Sequence, residues 1–184
     1  MDGFDAIVLA GGTAERLGGV AKHAIEVGGR TLLERTLAAA AEAAHVIVVG
    51  DDSLKPLVGR ATVVREDPPL AGPAAGIGAG LADVTADRVL VLACDYPDAA
   101  EAVAPLLTTD FAGDGAIAVD GDGRRQNLLF VARTDALRAA VARQETLTNL
   151  AVHRLLEPLD LTEISVPAHA LHDVDTWEDL NRDQ

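Results

Sequence analysis

Residues 4–12, Phe4-Asp5-Ala6-Ile7-Val8-Leu9-Ala10-Gly11-Gly12, decide the fold. Apart from Asp5 the first six are apolar, and a short run without helical spacing reads as a strand buried on both faces. Two glycines follow at once, and residues 10–22 read Ala-Gly-Gly-Thr-Ala-Glu-Arg-Leu-Gly-Gly-Val-Ala-Lys. No Gly-Lys-Ser/Thr closes this loop and it holds no G-x-G-x-x-G, so neither a Walker A loop nor a dinucleotide fingerprint is present. Glycines nonetheless let backbone amides approach a flat base or a phosphate chain, because no Cβ stands in the way. Arg16 and Lys22 place two cations in the same loop. A surface turn with two solvated basic residues is the plain alternative. The position just after the first strand favours a phosphate site, since ligands of open α/β sheets sit at the carboxyl ends of the strands.

Working outward, strands and helices alternate. The pattern predicts a helix over 31–44, with Thr31 and Glu34 in capping-box spacing, then strands over 45–49 and 61–65. Residues 73–83 look helical despite Gly76, Gly78 and Gly80, which implies close packing against a sheet or ligand. Residues 88–93 (Arg-Val-Leu-Val-Leu-Ala) form the clearest central strand, followed by a helix over 99–107. Strands over 116–119 and 127–133 flank the turn Asp120-Gly121-Asp122-Gly123. Helices over 134–143 and 148–156, a strand over 161–166 and a last helix from Thr176 complete the chain. The expected fold is a single α/β domain over 1–184: a doubly wound, mostly parallel sheet with helices on both faces, the late hairpin adding an antiparallel edge strand. Residues just after Leu9, Val49, Arg65 and Ala93 then converge on one rim.

Composition narrows the function classes. The 184 residues hold 15 Lys and Arg against 29 Asp and Glu, a net charge of −14. That argues against a nucleic-acid partner, which asks for a basic footprint. It also opposes a triphosphate at long range, but screening limits this to about 8 Å, so a local cation cluster or a metal ion prevails. One cysteine, Cys94, excludes an internal disulfide and a multi-cysteine metal site. No apolar run reaches the roughly 18 residues of a membrane span, and the acidic start lacks signal-peptide character, so a cytoplasmic enzyme without membrane contact is expected.

The carboxylates come next. Asp95 follows the central strand in Cys94-Asp95-Tyr96-Pro97, where it can hold Mg²⁺ or cap the next helix; Asp98 is the better cap by position. Asp173-Val174-Asp175 sets two carboxylates on one face of an extended segment. Asp175 either completes a metal site or caps the helix at Trp177. Glu66 and Asp67, after the third strand, either accept hydrogen bonds from a base or ribose or are solvated loop acids. His169 and His172 lack a third ligand at zinc spacing.

Together these segments resemble the MobA-like nucleotidyltransferases. Leu9-Ala10-Gly11-Gly12, Arg16-Leu17-Gly18 and Lys22 are similar to the family's N-terminal signature, and Gly72-Pro73-Ala74-Ala75-Gly76 to its second glycine motif. Cys94-Asp95-Tyr96-Pro97 resembles its Asp-x-Pro motif, Gln126-Asn127-Leu128 its Gln-Pro-Leu segment, and 173–180 its C-terminal Asp-x-Asp-Thr-Pro-Glu-Asp-Leu. The resemblance implies an Mg²⁺-dependent transfer of a nucleotidyl group from a nucleoside triphosphate to a phosphorylated acceptor. The Leu-Ala-Gly-Gly form is that of the guanine-using branch, which joins GMP from GTP to molybdopterin; cytidylyl-transferring relatives more often carry Leu-Ala-Ala-Gly. By the same resemblance Leu9, Ala10, Gly11 and Gly12 hold the base, and Asp67 and Gly72 the base or ribose. The resemblance also gives Lys22 the phosphates and Asp95 the Mg²⁺; Arg16 is expected as a second cation on the phosphates, and Asp175 as a second metal ligand or a helix cap. Passing contacts with other proteins of molybdenum cofactor assembly are implied too. The chain departs from the family pattern at Ala21, where Asp is usual, and at His23, where Pro or Ala is usual. The second strand ends in Val49-Gly50-Asp51-Asp52 with no obvious base-contacting Asn.

Overall fold

The computed structural model describes residues 3–11, 13–14 and 20–171. Strand β1 (Phe4–Leu9) leads into a short antiparallel pair, β2 (Thr13–Ala14) and β3 (Val20–Ala21). A single 3₁₀ turn, Lys22–Ala24, then feeds a tight hairpin of β4 (Glu26–Val27) and β5 (Arg30–Thr31). After helix α1 (Leu32–Ala39) come β6 (Val46–Val49), β7 (Thr62–Val64), α2 (Pro73–Leu81), β8 (Arg88–Ala93) and α3 (Ala99–Thr108). The chain continues through β9 (Gly115–Val119), β10 (Arg125–Arg133), α4 (Thr134–Ala142), α5 (Val152–Leu156) and β11 (Leu161–Ser165).

Seven strands form one sheet in the order β11-β9-β10-β8-β1-β6-β7. Its pairs are parallel except those made by β10, which runs antiparallel to both β8 and β9. The antiparallel strand is therefore inside the sheet and not at its edge. Leu129, Phe130, Val131 and Ala132 are fully buried, so β10 needs a neighbour on each side, while β11, with exposed Thr162, Glu163 and Ser165, tolerates the rim.

Alternation along the strands divides two cores, as period-2 side-chain direction requires. Ala6, Val8, Val48, Leu90, Leu92, Leu129 and Val131 pack against Leu32 and Leu33 of α1 and Ala102, Val103 and Leu106 of α3. Ile7, Leu9, Ile47, Val49, Val89, Val91 and Phe130 pack against Ile77 and Leu81 of α2, Leu137 of α4 and Leu155 and Leu156 of α5. Helices thus cover both faces, and each fully buried Leu, Ile or Phe contributes about 1.5–3 kcal/mol.

The glycines of α2 have a definite purpose. A Cβ on Gly76 would stand 3.2 Å from both Leu9 and Val49 side chains, and one on Gly80 would stand 2.9 Å from Ile7. On the other flank, a Cβ on Gly78 would collide with Leu147. The helix therefore lies flush on β1 and β6, which brings its N-terminus over the carboxyl ends of those strands.

Helix α1 begins with the expected capping box: the Glu34 amide donates to Thr31 Oγ1 at 3.1 Å and the Thr31 amide to Glu34 Oε2 at 2.7 Å. It ends at Ala39, five residues before the expected boundary, in a turn that delivers the chain to β6. The helix expected over 148–156 starts only at Val152, because Asn149 adopts φ +56° and donates its amide to Ala71 O at 2.7 Å. At the far end of β1, buried Asp5 accepts from the amides of His45, Thr85 and Ala86 at 3.1, 2.6 and 2.9 Å. Burial pushes its carboxyl up, but the Thr85 and Ala86 amides, the Thr85 hydroxyl and His45 outweigh this and leave it below the ordinary value. No helix among the described residues is long and apolar enough to cross a membrane.

Candidate active site

Four strand ends, those of β1, β6, β7 and β8, and one helix start build the cleft. The Ala10 amide donates to Val49 O at 2.9 Å and the Cys94 amide to Leu9 O at 3.0 Å, so the sheet ladder continues to the rim before the loops diverge. Above that rim lies a cavity of about 310 Å³, lined by Leu9, Ala10, Gly11, Lys22, Val49, Glu66, Leu70, Gly72, Pro73, Gly76, Ala93, Cys94, Asp95 and Leu128. Residues after β1, β7 and β8 thus meet where the topology of the sheet puts them.

The floor is Leu9-Ala10-Gly11. Among the described residues a methyl on Gly11 would meet nothing nearer than Val49 O at 4.0 Å, so none of them fills the space over this glycine. Gly72, with φ +95°, caps α2 without a side-chain hydrogen bond, and Pro73 supplies the first helical residue. The amides of the first turn of α2, which carry the positive end of the helix dipole, therefore begin at the cleft wall.

Lys22 and Asp95 face each other across the cleft, Nζ to Oδ2, at 4.0 Å, with side chains 24% and 21% exposed. Lys22 is the one cation among the described lining residues, and Glu66 and Asp95 are the carboxylates. Such an arrangement can hold an anionic chain through lysine and helix amides, and a hard cation through carboxylate oxygen. No cluster of three or more His, Cys, Asp or Glu able to enclose a metal occurs among the described residues. Asp95 and Glu66 offer carboxylate oxygen, the donor a hard cation such as Mg²⁺ prefers, usually from one or two protein groups with water and phosphate completing the set.

Of the residues singled out in the sequence, Leu9, Ala10, Gly11, Lys22, Gly72 and Asp95 come together here. Asp67 does not line the cavity; it is exposed, and its neighbour Glu66 lines the wall instead. One Glu66 oxygen accepts the Leu70 amide at 2.9 Å, which holds the loop before α2. Gly12, Arg16 and Asp175, with the helix expected from Thr176, lie outside the described residues. Asp98 occupies the N-cap position of α3 but makes no side-chain cap; its carboxylate lies 3.7 Å from Arg35 Nη1. His169 pairs with Glu101 at 2.7 Å, a surface contact away from any metal geometry.

Sequence reasoning passed over Leu70, which lines the cavity while 77% exposed and holds φ +63°. Its signal was available: an apolar residue between Pro69 and Gly72, in a loop otherwise without large hydrophobic side chains. Cys94 is 4% exposed, and burial pushes its thiol up to about 12, with the Thr36 hydroxyl opposing and the Asp95 charge adding to the rise. It is a packing residue and no nucleophile at neutral pH.

The sequence pattern, carried on this sheet, places the chain among the nucleoside-triphosphate transferases. The chain belongs to the MobA-like NTP transferase domain family, whose sequence pattern matches residues 6–162. It is 30% identical over 142 residues to the molybdenum cofactor guanylyltransferase of Shewanella sp. strain MR-4, a match covering 75% of this chain and 72% of that protein. Molybdopterin-guanine dinucleotide biosynthesis protein A from Archaeoglobus fulgidus superposes with a TM-score of 0.75 at 20% identity, over 97% of this chain and 95% of the other. A homologue of the Mycobacterium tuberculosis protein Rv0371c, from Mycobacterium sp. strain JC1, gives 0.75 at 26% identity, covering 97% and 93%. The protein is a nucleotidyltransferase.

Proposed function

We propose that this nucleotidyltransferase moves GMP from GTP to molybdopterin and releases pyrophosphate. The observation that carries the transfer is the meeting of an open glycine floor at Gly11, a lysine and a carboxylate at the strand ends beneath the start of α2. The guanine base and the acceptor rest on the Leu-Ala-Gly-Gly form of the loop and on the relative named molybdenum cofactor guanylyltransferase.

In the reaction an acceptor phosphate oxygen attacks the α-phosphorus of GTP in line, the new P–O bond forms, and the bond to the β-phosphate bridging oxygen breaks. Positioning and charge neutralisation account for such catalysis without a protein nucleophile. Leu9, Ala10, Gly11 and Gly12 cradle the base, with Gly72 and the Glu66–Asp67 turn beside the base or ribose. Lys22 and Arg16 neutralise the phosphates, whose charge shifts toward the leaving pyrophosphate in the transition state. Asp95 would hold the Mg²⁺, with Asp175 its proposed companion, and the bound ion would add to the neutralisation of phosphate charge. Gln126 and Asn127, beside the Leu128 that lines the cleft, mark the acceptor side.

A second reading keeps the chemistry and changes the base. It is favoured by the end of β6, where Asp51 accepts from the Ser53 amide and hydroxyl in place of an asparagine free to meet guanine. The experiment is a transfer assay with α-labelled GTP or CTP, molybdopterin and Mg²⁺, scored for pyrophosphate. Label entering the pterin product from GTP alone supports the proposal. Label from CTP alone establishes the second reading, and no release from either removes both.

A further inference from the structure

We propose that Arg35 is a positioning residue of the transfer site, locking the segment that carries Lys22 to the segment that carries Asp95. This rests on the reading of Lys22 and Asp95 as the phosphate- and metal-binding groups. A guanidinium offers five donors in a rigid plane, so it can tie several carbonyls into one fixed geometry, as lysine cannot.

Arg35 does this between two loops that enter the cleft from different strands. Its Nε and Nη2 both donate to Val27 O, at 3.1 and 2.9 Å. Its Nη1 donates to Pro97 O at 3.1 Å and lies 3.7 Å from Asp98 Oδ1. Val27 belongs to the hairpin entered directly from the Lys22–Ala24 turn, whose Lys22 O accepts the Ile25 amide at 3.1 Å. Pro97 and Asp98 lie just past Asp95. The base of the arginine is itself fixed, because α1 starts with a capping box and the Leu32 amide donates to Ile25 O at 2.8 Å.

The hairpin is shaped to admit the guanidinium. Gly28 and Gly29 have φ +57° and +76°, the left-handed pair of a two-residue hairpin turn. A Cβ on Gly28 would press on Arg35 Nη2 at 2.9 Å. The arginine side chain is 24% exposed, so its bonds are partly shielded from water.

The lock matters because the Lys22–Asp95 contact cannot serve as one during turnover. When phosphates and a cation enter, both charges turn to the ligands and the direct attraction between the loops is lost. The Arg35 bonds run to backbone carbonyls and Asp98, so they persist and keep the two groups in register. Misplacement by about 1 Å can cost about 10²-fold in rate.

Arg138 provides the control. It too donates to two carbonyls, Leu81 O at 3.4 Å and Val84 O at 2.7 Å, but these lie at and beyond the C-terminal end of α2, away from the cleft. Arg35→Met, Arg35→Lys and Arg138→Met are compared in the full-length protein by melting temperature, by kcat and KM for GTP, and by amide hydrogen exchange. The lock predicts that Arg35→Met loses kcat about 30- to 100-fold with KM changed less than about threefold. Exchange should quicken in residues 22–27 and 95–98 together. Arg138→Met should melt at a comparable temperature with kcat near wild type. Wild-type kcat in Arg35→Met, or equal loss in both methionine variants, would overturn the proposal. Should Arg35→Met fail to fold, Arg35→Lys carries the same comparison, with a smaller fall in kcat expected and a wild-type value contradicting the lock. If the wild-type protein transfers no nucleotide at all, the functional reading fails, and the exchange of the two segments alone decides the role of Arg35.

Discussion

Lys22 Nζ and Asp95 Oδ2 stand 4.0 Å apart across the cleft, joining loops that leave the neighbouring strands β1 and β8. In a chain of net charge −14 this pairing keeps a cation at the rim beside Gly11. Both side chains retain some contact with solvent, so their mutual attraction is modest and a triphosphate with its metal can replace it.

Lys22→Ala should therefore leave the fold intact and lower kcat by roughly two orders of magnitude, about 3 kcal/mol of transition-state stabilisation. Steady-state pyrophosphate release measures this. A wild-type kcat would remove Lys22 from the mechanism.

Asp95→Asn keeps the shape of the side chain and removes its charge. Activity should fall and the steep dependence on Mg²⁺ should go with it, because an amide oxygen is a poor substitute for a carboxylate on a hard cation. An Mg²⁺ titration of residual activity that matches wild type would contradict the assignment.

Gly11→Ala tests the floor. Among the described residues the added methyl meets only Val49 O at 4.0 Å, and Gly11 is not among the positive-φ glycines, so the melting temperature should hold or rise slightly. The methyl instead occupies ligand space, and GTP affinity should drop about tenfold, the cost of roughly 1.4 kcal/mol, with CTP gaining relative to GTP. Calorimetry on both nucleotides reads the change; unaltered GTP affinity would place the base elsewhere.

Cys94 gives a prediction in pH. Its thiol is raised from 9.0 to about 12 by burial, so the folded state holds the proton more tightly than the unfolded chain. The resulting stability is complete below pH 9 and is lost as pH rises from 9 toward 12. Denaturant midpoints of wild type should fall across that window, and those of Cys94→Ala should fall less. At pH 8 iodoacetamide should label the native protein far more slowly than the unfolded one; equal rates would show that the thiol is not buried.

Much of this was legible in the chain because local and global signals agree. The apolar runs of β1 and β8 have no competing pattern, and both strands keep their expected bounds. The glycines of α2 announced close packing, and Leu9, Val49 and Ile7 are what they pack against. Lys22 and Asp95, far apart in sequence, were brought together by the rule that ligands meet strand ends. What escaped depends on tertiary contacts. The interior place of β10 follows from burial on both sides, which a hairpin pattern does not specify. Asp98 takes the N-cap position yet turns to Arg35, a partner 63 residues earlier in the chain. Of Glu66 and Asp67, both singled out in the sequence, Glu66 lines the cleft and Asp67 is exposed, a choice set by the path of the loop after β7. The Gly28-Gly29 turn was readable, as two glycines between Val27 and Arg30 are a hairpin signal.

The most direct test is calorimetric titration of the purified protein with GTP, CTP, ATP and UTP, each with and without Mg²⁺, alongside the Lys22→Ala and Asp95→Asn variants. Selective GTP binding that Mg²⁺ strengthens is expected, weakened by Lys22→Ala and made indifferent to Mg²⁺ by Asp95→Asn. Absence of binding by all four nucleotides, or GTP binding that neither variant alters, would contradict it.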